Sequence, residues 1–192
     1  DASDVPRALA AIVLANDADL ATGAGDPLEL GLLRYAQSQG KGVDIAKLRG
    51  DHPRVDERPF DSAWKYSRVT VRDGGREVSY LKGAPEIVAA RCVAVQCGDH
   101  AEPLTREWRD RLRAAEETMA GQGLRVLAFA FRRVTQDGDP ADLEQELTLA
   151  GLVGLLLVVA PGLGTGSTAL GLAVMVSSTI AWSTGSFLSK RL

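Results

Sequence analysis

The order of apolar and polar positions divides the chain into a long mixed stretch and a shorter apolar one. Up to Glu146, apolar residues recur at helical or strand periods among charges. From Leu147 to Ser189, 43 residues carry none. In the mixed stretch, Asp4-Val5-Pro6 opens a helix to Asn16, with Asp4 as cap and Leu9, Ile12 and Val13 on one face. Ala18–Gly25 reads as a loop. Asp26-Pro27-Leu28-Glu29 gives a cap, a proline at the first helical position and a capping-box glutamate, for a helix to Ser38. Val43–Arg49 is a short helix, and Val55–Phe60 a strand that Pro59 confines to an edge or a strand end. Pro85 opens a helix over Glu86–Arg91, whose N-terminus favours an anion near Gly83 and Ala84. Cys92–Glu102 is strand and loop. Thr105–Ala120 is an amphipathic helix with Trp108, Leu112, Ala115 and Met119 on one stripe, its charges forming a solvated face. Leu124–Phe131 reads as a buried strand, Pro140–Glu146 as a short helix and Leu147–Val153 as a strand.

Arg58–Glu86 draws these elements together. Two β-rich runs, Trp64–Arg72 and Arg76–Lys82, flank Asp73-Gly74-Gly75, the signature of a tight hairpin. Lys65 and Lys82 sit at its two far ends, which antiparallel pairing brings together. Phe60 lies just before the first arm. Two cations beside an aromatic face suit a nucleotide, whose base stacks while its phosphates meet the charge.

Phe60-Asp61-Ser62-x-x-Lys65 followed by Lys82-Gly83-Ala84-Pro85-Glu86 resembles the nucleotide-binding domain of P-type cation-transporting ATPases. Gly25-Asp26-Pro27-Leu28-Glu29 before it and Gly123–Ala130 after it match in order. The resemblance covers residues 1–155. It implies an α+β fold, an antiparallel sheet with helices packed around it, and a domain at 1–150. It also implies that adenine stacks on Phe60, Glu29 and Ser62 line the base and ribose, Lys65 and Lys82 close the pocket, Gly83 admits the backbone, and Arg125 meets the phosphates. ATP, with Mg²⁺, is the implied cofactor, and a separate phosphorylation domain the implied partner. Two positions keep a plainer reading beside this one: Glu29 as a capping box, and Arg125 as a solvated or ion-paired arginine at a strand entrance. The Asp-Lys-Thr-Gly-Thr phosphorylation string of the family is absent from these 192 residues, as are its hinge aspartates. The chain is therefore expected to bind ATP and not to turn it over.

The apolar stretch supports several readings. At about 20 residues per crossing, 151–192 is expected to form a membrane-spanning helical hairpin. Its arms are Leu149–Leu163 and Ala169–Leu188, in contact with lipid over 149–189. Lys190 and Arg191 would stay, like the nucleotide-binding part, on the cytoplasmic side. Gly164–Leu192 also resembles one segment of drug/metabolite transporters, so the chain also reads as a transporter fragment with the soluble part as cargo. Alternatively the tail packs as core. Gly162–Ser167 mimics a phosphate loop, but its spacing is not Gly-x-Gly-x-x-Gly and no lysine completes a Walker motif. Composition adds exclusions. A net charge of -3 gives no reason to expect nucleic acid. Cys92, Cys97 and His100 lack a fourth ligand for structural zinc, and free thiols are the expectation. The first residues show no signal-peptide pattern.

Overall fold

The central hairpin forms where its turn chemistry places it. Gly74 and Gly75 take φ values of 56° and 86°, the left-handed pair that a two-residue turn between twisted strands requires. Around this turn, β2 (Tyr66–Asp73) and β3 (Arg76–Gly83) pair without a break from Asp73↔Arg76 to Tyr66↔Gly83. In this computed structural model, which describes residues 5–39, 43–134, 143–159 and 172–175, the hairpin lies inside a larger sheet.

On one side, β1 (Arg54–Asp61) pairs antiparallel with β2. It is the mostly exposed edge strand that Pro59 implied. On the other, β6 (Arg125–Val134) pairs antiparallel with β3, and β7 (Leu147–Val159) with β6. Beyond β7 come β4 (Cys92–Cys97) and β5 (His100–Pro103), giving the order β1-β2-β3-β6-β7-β4-β5. The expected antiparallel sheet is in fact mixed, because β4 runs parallel to β7. Connectivity gives the reason. Helix α4 (Pro85–Ala90) carries the chain back from the end of β3 to the start of β4. Such a crossover preserves strand direction, and β7, two antiparallel steps from β3, shares it.

Helices cover both faces. Against one lie α1 (Arg7–Leu14), α2 (Pro27–Ser38) and α3 (Ile45–Asp51), where Ile12, Leu32 and Leu33 pack with Val71, Tyr80 and Phe129. Against the other lie α4 and α5 (Arg106–Gly121), where Val88, Leu112 and Met119 pack with Leu81, Ala128 and Leu152. Only Leu112 and Met119 of α5 are buried, so its charged face is solvated as its pattern required.

The tail departs from expectation. Leu147–Val159 is a strand, not the first arm of a membrane hairpin, and it passes residue 150 without interruption. Leu147, Leu149, Leu152, Val153 and Leu155 are buried in the two cores. An uninterrupted apolar run is what a strand covered on both faces looks like, and over this segment a run of that kind cannot be told from a membrane helix by composition. Residues 149–156 therefore pack inside the protein and not against lipid. Of the second expected arm, only β8 (Leu172–Met175) is described, paired with Leu156–Val159. The rest of that arm, and the glycine-rich 162–167, lie outside the described residues. Among the described residues no helix is long and apolar enough to cross a membrane.

One half-buried polar cluster joins the β6–β7 connection to the sheet. The Glu144 carboxylate accepts hydrogen bonds from Arg58 Nη1 at 2.7 Å, from Arg68 Nε at 3.2 Å and from the Tyr66 hydroxyl. Arg68 also donates to Asp56 and to Thr70. Burial works to raise the Glu144 carboxyl. Hydrogen bonds from Tyr66 and Arg58, with the Arg58 charge, outweigh it and hold the group below the ordinary carboxylate range. A carboxyl depressed by folding stabilises the native state above its unfolded value, and that stability is lost as pH falls through the folded value. Urea midpoints of the wild-type chain should therefore fall as pH drops below about 4.3. Glu144→Gln should lower the midpoint at pH 7 and flatten this acid dependence. Parallel pH profiles for the two proteins would show that Glu144 does not carry it.

Candidate functional site

The side chains singled out in the sequence come from four elements and the turn between β1 and β2, and the sheet register brings most of them to one end. Lys82 pairs with Ser67 on β2 and with Phe129 on β6. Directly paired residues face the same side, so Lys82 belongs to the face of Phe129 and Leu127, which α1 and α2 cover. Arg125, four residues before Phe129, shares that face and lies beyond the end of β3. On β1, Asp61 pairs with Tyr66 after a bulge, and alternation turns Phe60 toward the same side. Phe60 is 60% exposed. An aromatic ring left in water is a ready stacking surface.

The Lys82–Glu29 contact fixes the centre. Lys82 is 9% exposed, and an ammonium so deeply placed requires a partner. Its Nζ donates to Glu29 Oε1. The other oxygen of Glu29 accepts the Asp17 backbone N–H at 3.2 Å. The capping-box reading of Glu29 is thereby replaced. Asp26 caps α2, accepting from the Leu28 N–H at 2.8 Å, while Glu29 reaches across to the sheet. The start of α2 is tied to the end of α1 as well, since Asn16 Nδ2 donates to the Glu29 carbonyl at 2.9 Å. Arg49 and Arg54 donate to the carbonyls of Leu14, Asn16 and Ala18 and close the end of α1.

Lys65 takes a different course. It ends the turn after β1, and its Nζ lies 3.9 Å from Glu86 of α4, with both side chains exposed. The two lysines thus meet separate carboxylates, Lys82 on the α2 side and Lys65 on the α4 side. An exposed pair of this length contributes little and leaves Lys65 available to a stronger anion. Ser62 is exposed in the same turn. Arg125 is exposed at the entrance of β6. Gly83 has a structural role of its own. A Cβ there would stand 2.5 Å from the Lys65 carbonyl oxygen and 2.6 Å from Tyr66 Cβ, and the Ala84 N–H donates to the same carbonyl at 3.0 Å. Helix α4 has six residues, with Glu86 in its first turn.

Some contributors had no signal in the sequence. The Asp17 amide acts through its backbone, and Glu144 reaches Arg58 across 86 positions. Of the discounted metal candidates, Cys92 donates to the Val88 carbonyl and burial pushes its thiol up to about 12. His100 lies between Asp99 and Glu102. Among the described residues no group of three His, Cys, Asp or Glu side chains is placed to hold a metal.

This arrangement coincides with a family. A family model described as P-type ATPase, cytoplasmic domain N, matches residues 4–156, and the chain belongs to that family. Calcium-transporting ATPase 1 of Lactococcus lactis is 31% identical over 162 residues, which is 83% of this chain and 18% of that protein. Cation-transporting ATPase pma1 of Synechocystis is 36% identical over 69% of this chain and 14% of its own length. The sodium/potassium-transporting ATPase subunit alpha of Hydra vulgaris is 32% identical over 71% of this chain and 14% of its own. The chain thus spans less than a fifth of the length of these relatives. The match stops before Gly164–Leu192, so the likeness of that segment to drug/metabolite transporters gains no support from it.

Replacing Gly83 tests the close approach of β2 and β3. Because the atoms in the way are mostly backbone, Gly83→Ala should destabilise the chain by about 1–3 kcal/mol, read as a lower urea midpoint. An unchanged midpoint would show that the strands can part there without cost.

Proposed function

We propose that residues 1–150, with the remainder of β7, form the ATP-binding domain of a cation-transporting P-type ATPase. It presents ATP to a phosphorylation domain that these 192 residues do not include. The observation that carries this reading is the exposed Phe60 ring at the same sheet end as the buried Lys82–Glu29 pair, in a chain of this family.

Adenine stacks on Phe60. Glu29 and Ser62 border the base and ribose. Lys82, already neutralised by Glu29, shapes the pocket floor more than it adds charge. The positive charge for the phosphates then falls to Arg125 and to Lys65, once Lys65 leaves Glu86. Gly83 keeps the floor low by holding β2 against β3. Mg²⁺ would enter with the phosphates and be held chiefly by their oxygens and by water. Phosphoryl transfer of this kind depends on positioning and on stabilising charge, and this chain supplies the positioning. The domain works on the cytoplasmic side of a membrane, as part of a larger transporter.

Calorimetric titration of the full chain with ATP should show binding. Phe60→Ala should weaken it by the value of one stacked base, about 1–3 kcal/mol, at unchanged melting temperature. Equal affinity in the Phe60→Ala chain would remove the stacking site. Incubation with labelled ATP and Mg²⁺ followed by acid quench should leave no hydroxylamine-sensitive label, and a labelled band would contradict the role assigned here.

A further inference from the structure

The turn that carries Ser62 and Lys65 holds a conformation that its own residues do not favour. Lys65 has a φ of 58°, the left-handed region that is unfavourable for a residue with a Cβ. Local bonds help to close the turn: the Lys65 N–H donates to the Asp61 carbonyl at 2.7 Å, and the Ala63 N–H to Asp61 Oδ1 at 2.7 Å. The remaining constraint comes from the side chain between them, Trp64. Its indole N–H is buried without a hydrogen-bond partner among the described residues, so the ring is held by stacking and by packing against the core on the α4 and α5 face.

What it stacks on is Arg58. The guanidinium lies 4.3 Å from the Trp64 ring centre and 5.7 Å from that of Tyr66. Arg91 lies over Tyr66 at 4.6 Å. Ring and guanidinium therefore alternate through Trp64, Arg58, Tyr66 and Arg91, joining the turn, β1, β2 and the end of α4. Glu144 locks the stack by accepting from both Arg58 and the Tyr66 hydroxyl. Arg58 also opens the bulge between Arg58 and Asp61, which contains Phe60. It thus touches the supports of Phe60 on one side and of Ser62 and Lys65 on the other. Its pairing with Arg68 puts it on the α4 and α5 face, away from Lys82 and Glu29.

We propose that Arg58 is a positioning residue for the nucleotide. By clamping Trp64 against Tyr66 and Glu144, it sets the turn that presents Ser62 and Lys65 and the bulge that presents Phe60. This rests on the ATP-binding reading above. Arg58 acts from behind the site, through the turn, and makes no contact with ATP.

The test compares full chains carrying Arg58→Ala, Arg58→Lys, Phe60→Ala and Leu112→Val, by calorimetry with ATP and Mg²⁺ and by thermal melting. Leu112→Val, in the core of α5, serves as a stability control. Arg58→Ala should raise the Kd about fivefold, the scale of one half-exposed cation–π contact. Arg58→Lys, which keeps a cation over Trp64, should recover part of the affinity. Leu112→Val should lower the melting temperature and leave the Kd unchanged. If Phe60→Ala weakens binding and Arg58→Ala does not, the positioning role is overturned and the ATP site stands. It is also overturned if Leu112→Val weakens binding as much as Arg58→Ala for the same loss of melting temperature. A wild-type chain that binds no ATP, or a Phe60→Ala chain that binds equally well, overturns the site itself.

Discussion

A lysine with 9% of its surface in water has lost most of its hydration and needs an opposite charge placed against it. Lys82 meets that condition through Glu29, and much of the architecture follows from the contact. It obliges the first turn of α2 to stand over the end of β3. It leaves one carboxylate oxygen to hold the Asp17 N–H, which draws the α1–α2 loop over the same end of the sheet. Removing either partner would strand the other charge in a low-dielectric site, at a cost of about 3–5 kcal/mol. Such a pair contributes little net stability compared with apolar packing. What it contributes is a fixed relation between two helices and a strand.

The sheet uses its two faces differently. The face under α1 and α2 carries Lys82, Arg125 and, by alternation, Phe60, with Glu29 reaching Lys82 from α2. The face under α4 and α5 carries the Arg58, Tyr66, Arg68 and Glu144 cluster, where every carboxylate oxygen of Glu144 accepts at least one hydrogen bond. The partly buried charge of Glu144 is tolerated there because both its oxygens are paired. Between the faces, β3 and β2 approach so closely at Gly83 that no side chain fits. Lys82 is thus carried by a closely held strand pair, while Phe60 lies on β1, Arg125 on β6 and Lys65 in the turn that ends before β2.

The apolar tail shows how one composition serves two environments. Leu147–Val159 satisfies its backbone through β6, β4 and β8, and up to Leu156 its side chains pack between two helical layers. A bulge that skips Ala150 opposite Phe129 and Ala130 keeps Leu149 and Leu152 on the α5 side. In lipid the same residues would need internal helical bonds instead. Their sequence is compatible with both, and the neighbouring strands decide.

The sequence by itself determined the elements whose cause is local. Gly74 and Gly75 set the hairpin, Asp26 and Pro27 the start of α2, Pro59 an edge strand, and the stripe of Leu112 and Met119 the buried side of α5. It also identified the family through the Phe60–Lys65 and Lys82–Glu86 strings, because motifs survive without knowledge of the fold. The tertiary structure alone decided whatever depends on distant segments meeting. It moved Glu29 from a helix cap to an ion pair with Lys82, 53 positions away. It sent Lys65 to Glu86 and not toward Lys82, brought Glu144 under Arg58, made β4 parallel to β7, and turned a membrane-like run into a core strand. Each of these is settled by desolvation and pairing across the chain, which act on three-dimensional neighbours and leave no period or spacing in the sequence to read.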